Sequence, residues 1–230
     1  MNNNIFQRVE QKYILTREVK DKLLSKISGH IKEDKYFEST ICNIYFDTKN
    51  NDLIINSLEK PTFKEKLRLR SYGIPNIYSD VFLEIKEKYK GIVGKRRIKL
   101  TLRDFYLYLR KKIIDEDNQI MKEINYYFSF YKLKPSIFIG YDRKSYKGIV
   151  EEDLRITFDS NLRSRKDNLR LECGDSGELF FDDDIYIMEI KTLGCIPLWL
   201  VSVLSELKIY PTSFSKYGSI YKKERMEQLC

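Results

Sequence analysis

The chain has 230 residues, about the size of one domain, and its 42 lysines and arginines against 34 aspartates and glutamates give a net charge of +8. Hydrophobic residues make up 42% of the chain, which is enough to bury a core and excludes wholesale disorder. The sequence has neither the roughly 18 uninterrupted apolar residues of a membrane span nor an apolar signal segment near its start, so we expect one soluble, cytoplasmic domain over residues 1–230 that readily meets polyanions.

Period-two alternation of apolar and polar residues predicts eight β-strands. In chain order they span 8–14, 40–46, 62–72, 81–88, 93–100, 136–143, 153–159 and 185–191. Helical periodicity predicts one helix from Thr16 to about Ile27, others over 102–112, 118–130 and 197–207, and a last helix or irregular tail after Phe214. Many strands with few peripheral helices predict an α+β fold built on an antiparallel barrel or a strongly curved sheet.

The residue types limit the chemistry that this chain can perform. The four cysteines lie far apart without a Cys-x-x-Cys pair, and His30 is the only histidine, so the sequence offers no zinc site with the usual ligand spacing. His30 follows Ser28-Gly29 directly after a predicted helix, which is typical of a surface turn and not of a catalytic histidine. Catalysis would therefore depend on carboxylates, lysine, arginine or a bound metal.

Alternation in the predicted strands places basic residues together on one face. Lys66, Arg68 and Arg70 point to one side of their strand, whereas Leu67 and Leu69 point to the other. The same rule groups polar residues in the other strands: Arg8, Glu10 and Lys12; Glu84, Lys86 and Lys88; Lys95, Arg97 and Lys99; Arg155, Thr157 and Asp159; Glu189 and Lys191.

Two interpretations of these polar faces are open at the sequence level. An ordinary amphipathic sheet would expose them to solvent, as most such strands do. Alternatively, the sheet curls so that the polar faces line a water-filled channel, where crowded cations would repel one another unless an anion entered. The abundance of arginine, which suits bidentate contacts with phosphate, favours the second interpretation. The channel would then bind a polyphosphate-like ligand.

Three glutamates, Glu10, Glu84 and Glu189, stand within these basic rows, and the sequence leaves two roles open for them. In one role they are salt-bridge partners that relieve repulsion between neighbouring cations. In the other they hold a hard divalent cation that bridges phosphate oxygens, since Mg²⁺ needs only one or two carboxylates when phosphates complete its shell.

Nine short segments together carry a resemblance to a known family. They are RVEQKY at 8–13, IYFDT at 44–48, KLRLRSY at 66–72, LEIKEK at 83–88, KRRIKL at 95–100, YDRKSY at 141–146, LRITFDSNL at 154–162, MEIK at 188–191 and SFSKY at 213–217. In this order, and over nearly the whole chain, the sequence resembles the VTC domain, the polyphosphate polymerase module of the vacuolar transporter chaperone family, within the triphosphate tunnel metalloenzymes.

The resemblance implies an eight-stranded antiparallel β-barrel that forms a tunnel, in which the γ-phosphoryl group of ATP is added to a growing inorganic polyphosphate chain. It also implies a divalent metal, Mn²⁺ or Mg²⁺, held at Glu189. The positions that match phosphate-binding residues of the family are Lys12, Arg68, Arg70, Lys86, Lys95, Arg143, Arg155 and Lys216, with Tyr141 and Ser215 beside them.

The candidate residues come from two sources. Arg143 and Lys216 are assigned on the resemblance alone, because strand alternation does not select them. Alternation adds four further substrate-binding residues: Glu10, Lys66, Arg97 and Lys191.

One position departs from the wider superfamily, in which many members open with Glu-x-Glu-x-Lys. Here the first acid is replaced by Arg8, so that the motif reads Arg8-x-Glu10-x-Lys12. Fewer acids mean fewer metal sites and fewer bases to activate water, so the change favours the polymerase branch over a triphosphatase. The phosphate-sensing domain and membrane helices of yeast-type complexes are absent, so we expect any membrane partner to be a separate chain.

The expected mechanism is in-line phosphoryl transfer without a side-chain nucleophile. Arg68, Arg70 and Lys86 clamp the triphosphate while the metal on Glu189 bridges its oxygens. The acceptor chain is held by Lys12, Arg143, Arg155 and Lys216. Two alternatives are a triphosphatase and a non-catalytic module that binds polyphosphate or nucleotide; nucleic acid is not expected, because no helix-turn-helix, zinc-finger or RNA-binding aromatic signature is present.

Overall fold

The computed structural model describes residues 8–59, 61–89, 92–111, 118–181 and 184–228. Lys112, the last residue of the helix predicted over 102–112, and Cys230, one of the four cysteines, lie outside the described residues. No helix within these ranges is both long and apolar enough to cross a membrane.

Within the described residues, eight long strands lie where alternation predicts them, and a ninth strand is short. The two-residue strand, β8, pairs with β7 and is too brief for a periodic pattern. The strands are β1 (Arg8–Thr16), β2 (Ile31–Asp47), β3 (Phe63–Tyr72), β4 (Asp80–Tyr89), β5 (Ile92–Thr101), β6 (Lys134–Gly148), β7 (Arg155–Arg165), β8 (Glu178–Leu179) and β9 (Ile185–Leu193).

Six helices accompany the strands in the described ranges. They are α1 (Arg17–Ile27), α2 (Asp52–Leu58), α3 (Leu102–Lys111), α4 (Gln119–Phe130), α5 (Leu198–Glu206) and α6 (Lys216–Glu227). Thr16 caps α1 as predicted, because its hydroxyl accepts a hydrogen bond from the Val19 N–H at 3.4 Å. The helix α2 is absent from the sequence prediction, and the segment after Phe214 forms a helix and not an irregular tail.

Strand pairing runs in the order β1-β9-β7-β6-β2-β3-β4-β5, and the pairs with a described register are antiparallel. β1 and β5 stand at the two ends of this order, and no ladder joins them in the part of the chain that the structure describes. The expected closure of an eight-stranded barrel is therefore absent from the pairing. Part of the outer edge of β1 has another partner, since the Lys12 carbonyl accepts a hydrogen bond from the Thr212 N–H at 2.7 Å.

The chain divides into two compact units, each assembled from three separate segments. Unit 1 takes residues from 1–39, 141–162 and 179–215. Unit 2 takes residues from 40–140, 163–178 and 216–230. Four of the five boundaries fall inside strands, namely β2, β6, β7 and the two-residue β8, so each of these strands contributes backbone to both units.

Each unit buries the apolar faces of its strands under helices. In unit 2, Leu67, Leu69 and Ile85 pack in a core with residues of α3 and α4. In unit 1, Ile156 and Ile190 pack in a core with residues of α1 and α5. Successive side chains of a strand point to opposite faces. The helices that cover the apolar face therefore do not cover the charged face of the same strand.

Candidate functional site

The polar face of β3, β4 and β5 gathers basic side chains in unit 2. Cross-strand register aligns Lys66 with Lys86 and Lys86 with Lys95 in one row. The adjacent row aligns Arg68 with Glu84 and Glu84 with Arg97. We call this set the basic cluster of unit 2; its cations are Lys66, Arg68, Arg70, Lys86, Lys95 and Arg97.

Glu84 is the buried counter-ion of this cluster, with a side chain only 1% exposed. Its Oε2 accepts from Arg68 Nε at 2.9 Å and Nη2 at 2.8 Å, and its Oε1 lies 2.7 Å from Lys95 Nζ. Arg70 and Arg97 lie 3.9 and 4.0 Å from the same carboxylate. Of the two roles that the sequence leaves open for Glu84, the structure supports the salt-bridge role.

The shared charges shift the pKa values of both partners. Burial alone would raise the pKa of Glu84, but Arg68, Arg70 and Lys95 outweigh it and lower the pKa to about 2. Burial lowers the pKa of Lys95 to about 8, against the opposing attraction of Glu84. Glu84 therefore stays ionised at neutral pH, whereas Lys95 loses its proton in mildly alkaline solution, near pH 8.

Two residues of β2 orient the arginines of the cluster. Arg68 Nη1 donates to the Tyr45 hydroxyl at 3.0 Å, and Arg70 Nε donates to Asn43 Oδ1 at 2.9 Å. Burial opposes ionisation of Tyr45, but the cations of β3 outweigh it and lower the pKa of its hydroxyl to about 8. Both guanidinium groups are thus held in fixed orientations, which suits bidentate contacts with phosphate.

The polar face of β1, β9 and β7 forms a second, mixed-charge grid in unit 1. In one row of the cross-strand register, Glu189 lies between Lys12 of β1 and Thr157 of β7. In the next row Lys191 stands between Glu10 and Arg155. The side chain of Arg8 lies outside the described part of the chain, so its predicted place in this face stays a prediction.

Glu189 is surrounded by cations at longer distances than Glu84. Its side chain is 9% exposed, and the nearest cation is Lys191 Nζ at 3.2 Å. Lys12 Nζ and Arg143 Nη2 lie 3.9 and 4.0 Å away. The carboxylate is therefore buried among cations without the short ion pairs that Glu84 makes.

Arg143 has a carboxylate partner that the sequence interpretation missed. Its Nε and Nη2 donate to the two oxygens of Asp159 at 2.6 and 2.8 Å, a bidentate pair. Tyr141 is buried beside it, with the guanidinium carbon 5.2 Å from the ring centroid. Burial disfavours the charged guanidinium, but Tyr141, Asp159 and Glu189 outweigh burial and raise the pKa of Arg143 further above its usual value.

Arg155 belongs to a short polar chain within unit 1. Its Nε donates to the Ser145 hydroxyl at 3.0 Å, and its Nη2 lies 3.0 Å from Asp34 Oδ2. The guanidinium is 42% exposed at the side-chain level, compared with 13% for Arg143. Asp34 stands in the first half of β2, a segment that alternation does not predict as strand.

Ser215 and Lys216 fall at the boundary between the two units. Ser215 belongs to unit 1, and Lys216 opens α6 in unit 2. The next residue, Tyr217, is buried, and its ring centroid lies 5.1 Å from that of Tyr45. The roles of Ser215 and Lys216 in binding stay predictions.

The donor chemistry at Glu189 fits a divalent cation only if phosphate supplies further ligands. The described residues contain no group of three or more histidine, cysteine, aspartate or glutamate side chains that could hold a metal ion. Glu189 offers hard carboxylate oxygens, and the Thr157 hydroxyl opposite it is buried without a hydrogen-bond partner in the described structure. One carboxylate with substrate phosphates is a usual shell for Mg²⁺.

Comparison with known proteins gives a family match over almost the whole chain. The family model described as VTC domain matches residues 7–224. The chain is also similar to vacuolar transporter chaperone complex subunit 4 of Schizosaccharomyces pombe, at 25% identity over 154 residues. That similarity covers 57% of this chain but only 21% of the length of the fungal protein.

Solved structures of other proteins share the fold. A crystal structure described as a putative adenylate cyclase from Bacillus halodurans superposes with a TM-score of 0.54 at 14% identity, covering 91% of this chain and 95% of that chain. A putative adenylyl cyclase from Hippeastrum, described as having a dominant triphosphatase activity, has a TM-score of 0.54 at 16% identity, covering 94% and 96%. These neighbours confirm the predicted α+β triphosphate tunnel fold class.

Proposed function

Since this chain belongs to the VTC domain family, we propose that it is a polyphosphate polymerase, which transfers the γ-phosphoryl group of ATP to a growing inorganic polyphosphate chain. Its substrates are ATP and polyphosphate, and its cofactor is Mn²⁺ or Mg²⁺. Nucleic acid is not a proposed partner.

The basic cluster of unit 2 carries this proposal. Four of its cations lie within 4.0 Å of one buried carboxylate, and Arg68 and Arg70 are only 17% and 7% exposed at the side-chain level. Cations this close together favour a densely charged ligand, and their partial burial favours a narrow one. An unbranched chain of phosphates has both properties.

The state of the carboxylates supports transfer to phosphate over transfer to water. Five acids lie in or beside the basic cluster of unit 2 and the mixed-charge grid of unit 1, and each has a cation within 4.0 Å. These acids are Glu10, Asp34, Glu84, Asp159 and Glu189. A general base that activates water needs a carboxylate whose oxygens are free to hold the water molecule, and these carboxylates are already engaged with cations. A phosphate acceptor is already ionised and needs no base.

The proposed division of labour follows the chemistry of phosphoryl transfer, in which positioning and charge neutralisation provide most of the rate enhancement. Arg68, Arg70 and Lys86 neutralise the triphosphate of ATP, whose charge increases on the leaving group. Lys12, Arg143, Arg155 and Lys216 orient the acceptor phosphate. Glu189 would hold the divalent cation, which supplies Lewis-acid neutralisation of phosphate oxygens when bound.

Three proposals concern the protein as a whole. Residues 1–230 form one polymerase domain that is located in the cytoplasm. The fungal relative is a subunit of a complex by its name, and we extend this to a separate membrane partner chain for the present protein. Pull-down of the chain from its own cells, with and without detergent, tests for that partner.

Synthesis of polymer from ATP and Mn²⁺, followed by gel electrophoresis of the product, tests the proposed activity. We expect chains that lengthen with time, and we expect Arg70→Ala to reduce synthesis roughly 100-fold or more, as loss of a charge-stabilising donor does. Arg70→Lys keeps a cation without the planar fork and should retain a small part of the activity. Circular dichroism of each variant establishes that it is folded.

Arg96→Ala is the matched control, because Arg96 lies on the opposite face of β5 and pairs with Glu87 and Glu123. It should leave synthesis within about twofold of the original protein, as expected for an exposed ion pair. Release of orthophosphate without any polymer would make the protein a triphosphatase. Undiminished synthesis by Arg70→Ala would contradict the assignment of the clamp.

A further inference from the structure

Thr157, on β7, carries a buried hydroxyl without a hydrogen-bond partner in the described structure. The residue is 2% exposed, so bulk water does not satisfy the group. Buried polar groups in proteins are almost always paired, and an unpaired one costs stability. A partner for this hydroxyl is therefore missing from the part of the chain that the structure describes.

The neighbours of Thr157 on its strand are already engaged. Asp159 accepts the bidentate pair from Arg143, and Arg155 donates to Ser145 and faces Asp34. The residue directly opposite Thr157 in the antiparallel ladder is Glu189. The free hydroxyl and the loosely paired carboxylate thus stand side by side on one face of unit 1.

The distance between directly opposed residues such as Thr157 and Glu189 allows one ion to bind between their side chains. Directly opposed residues of antiparallel strands have Cβ atoms about 4.5–5.5 Å apart, so both side chains can reach a single cation at about 2.1 Å from each oxygen. A threonine hydroxyl is a hard oxygen ligand of the kind that Mg²⁺ and Mn²⁺ accept. Lys12 and Lys191, the neighbouring cations, have no lone pair that could accept the hydroxyl proton.

We propose that the Thr157 hydroxyl is a second protein ligand, beside the Glu189 carboxylate, for the divalent cation that enters with the phosphate chain. The inference rests on the proposed function in one respect, namely that the ligand of unit 1 is a metal–phosphate complex. The unpaired hydroxyl is then a part of the site that becomes satisfied when the ion and its phosphates bind.

A ligand role and a purely structural role predict opposite effects of one substitution. Thr157→Val has nearly the same shape and removes only the hydroxyl. If the hydroxyl has no partner in the ligand-free protein, its removal should raise the melting temperature by roughly 2–4 °C while it weakens metal binding. A hydroxyl with a structural partner would lower the melting temperature when removed.

The experiment titrates Mn²⁺ into the full chain with one equivalent of tripolyphosphate and follows free Mn²⁺ by electron paramagnetic resonance, with tripolyphosphate alone as the reference for chelation in solution. We expect Thr157→Val to weaken Mn²⁺ binding about tenfold, and Thr157→Ser, which keeps the hydroxyl, to stay within about twofold. Thr192→Val is the matched control: Thr192 is also 2% exposed, but its hydroxyl donates to Asp153 at 2.9 Å. That variant should melt earlier and bind Mn²⁺ normally.

Unchanged Mn²⁺ binding by Thr157→Val would overturn the inference. The hydroxyl would then have a water molecule as its hydrogen-bond partner. A fall in its melting temperature would overturn it too, because the hydroxyl would then have a partner in the free protein. If the original protein did not bind Mn²⁺ together with tripolyphosphate, the inference would also be overturned, because there would be no cation for the hydroxyl to bind. The polymer assay on the original protein is separate, so the proposed function can stand when this inference fails.

Discussion

Glu84 and Glu189 are both buried carboxylates among cations, yet their distances give them different chemistry. Glu84 makes ion pairs of 2.7 and 2.8 Å, whereas the nearest cation to Glu189 lies at 3.2 Å. A tightly paired carboxylate orders its cations, and a loosely paired one keeps oxygen lone pairs available for a metal. The sequence places both acids in equivalent basic rows and therefore could not separate the two roles.

The basic cluster of unit 2 should lose positive charge in mildly alkaline solution. The pKa values of Lys95 and Tyr45 are both lowered to about 8, so above that pH the lysine becomes neutral and the tyrosine becomes an anion. We expect tripolyphosphate affinity to fall about tenfold or more between pH 7 and 9, measured by isothermal titration calorimetry. Lys95→Arg, which stays charged, should reduce this fall in affinity. If the affinity of this variant fell with pH as much as that of the original protein, the role of Lys95 would be contradicted.

The same two groups predict the opposite trend for the stability of the ligand-free protein. Both pKa values are lower in the folded state, so between about pH 8 and 10 the unfolded chain binds more protons. These two groups therefore make the free energy of unfolding increase with pH across this window. Urea denaturation of ligand-free protein at pH 8 and 10, with Tyr45→Phe as the comparison, measures the contribution of Tyr45.

At the scale of elements, Asp47 explains the helix α2 that the sequence interpretation missed. Asn51, at the N-cap position, has φ of 61° and makes no side-chain cap. Asp47 takes over this function from the end of β2: its oxygens accept from the Leu53 and Ile54 N–H groups at 2.9 and 3.1 Å. A cap five residues upstream of the helix is not a recognisable local signal.

Asp47 also ties α6 to the same region of unit 2. The Tyr217 hydroxyl donates to Asp47 Oδ2 at 3.0 Å and lies 2.9 Å from the Ser136 hydroxyl. Burial raises the pKa of Asp47, and the hydrogen bonds that it accepts limit the increase. One buried carboxylate thus joins β2, α2 and α6, directly beside the predicted phosphate ligand Lys216.

Replacement of Asp47 should therefore cost far more stability than replacement of an exposed aspartate. We expect Asp47→Ala to lower the free energy of unfolding by about 2–4 kcal/mol, since it leaves capping N–H groups and a tyrosine hydroxyl unpaired. Asp80→Ala, which removes an exposed pair with Lys99, should cost about 0.5 kcal/mol or less. Urea denaturation measures both, and equal losses would show that Asp47 has no special role.

The second strand shows why element boundaries were only partly predictable. Alternation predicts strand over 40–46, but β2 begins at Ile31. Residues 32–39 are all exposed or half-buried, so they lack the apolar alternation that marks a strand with one buried face. Their strand conformation comes from pairing with a neighbour, and pairing is not a property of the local sequence.

At the scale of the whole molecule, the proposal of one domain has a direct thermodynamic test. Unit 1 contains Trp199, the only tryptophan, and unit 2 contains α2, α3, α4 and α6, which dominate the helical circular dichroism signal. Because β2, β6 and β7 contribute to both units, we expect fluorescence and circular dichroism to report one coincident unfolding transition. Asp47→Ala, in unit 2, should then shift the Trp199 transition equally; two separate transitions would mean that the units unfold independently.

The local sequence determined where the eight long strands lie, apart from the first half of β2, and which side chains share a face. Alternation is a property of neighbouring residues, so Lys66, Arg68 and Arg70 could be grouped without knowledge of the fold. The family resemblance added Arg143 and Lys216, which no local pattern selects. Thr157 was grouped with the right face, but its lack of a partner is visible only in three dimensions.

The tertiary structure decided which residues meet across the chain. Arg143 finds Asp159 at a sequence separation of 16, Arg68 finds Tyr45 at 23, and Tyr217 finds Asp47 at 170. The pairing order, in which β1 and β5 are not joined in the described residues, was likewise beyond alternation. Side-chain periodicity is set by the backbone of one strand, whereas partners are set by which strands pair, and pairing depends on packing of the whole chain.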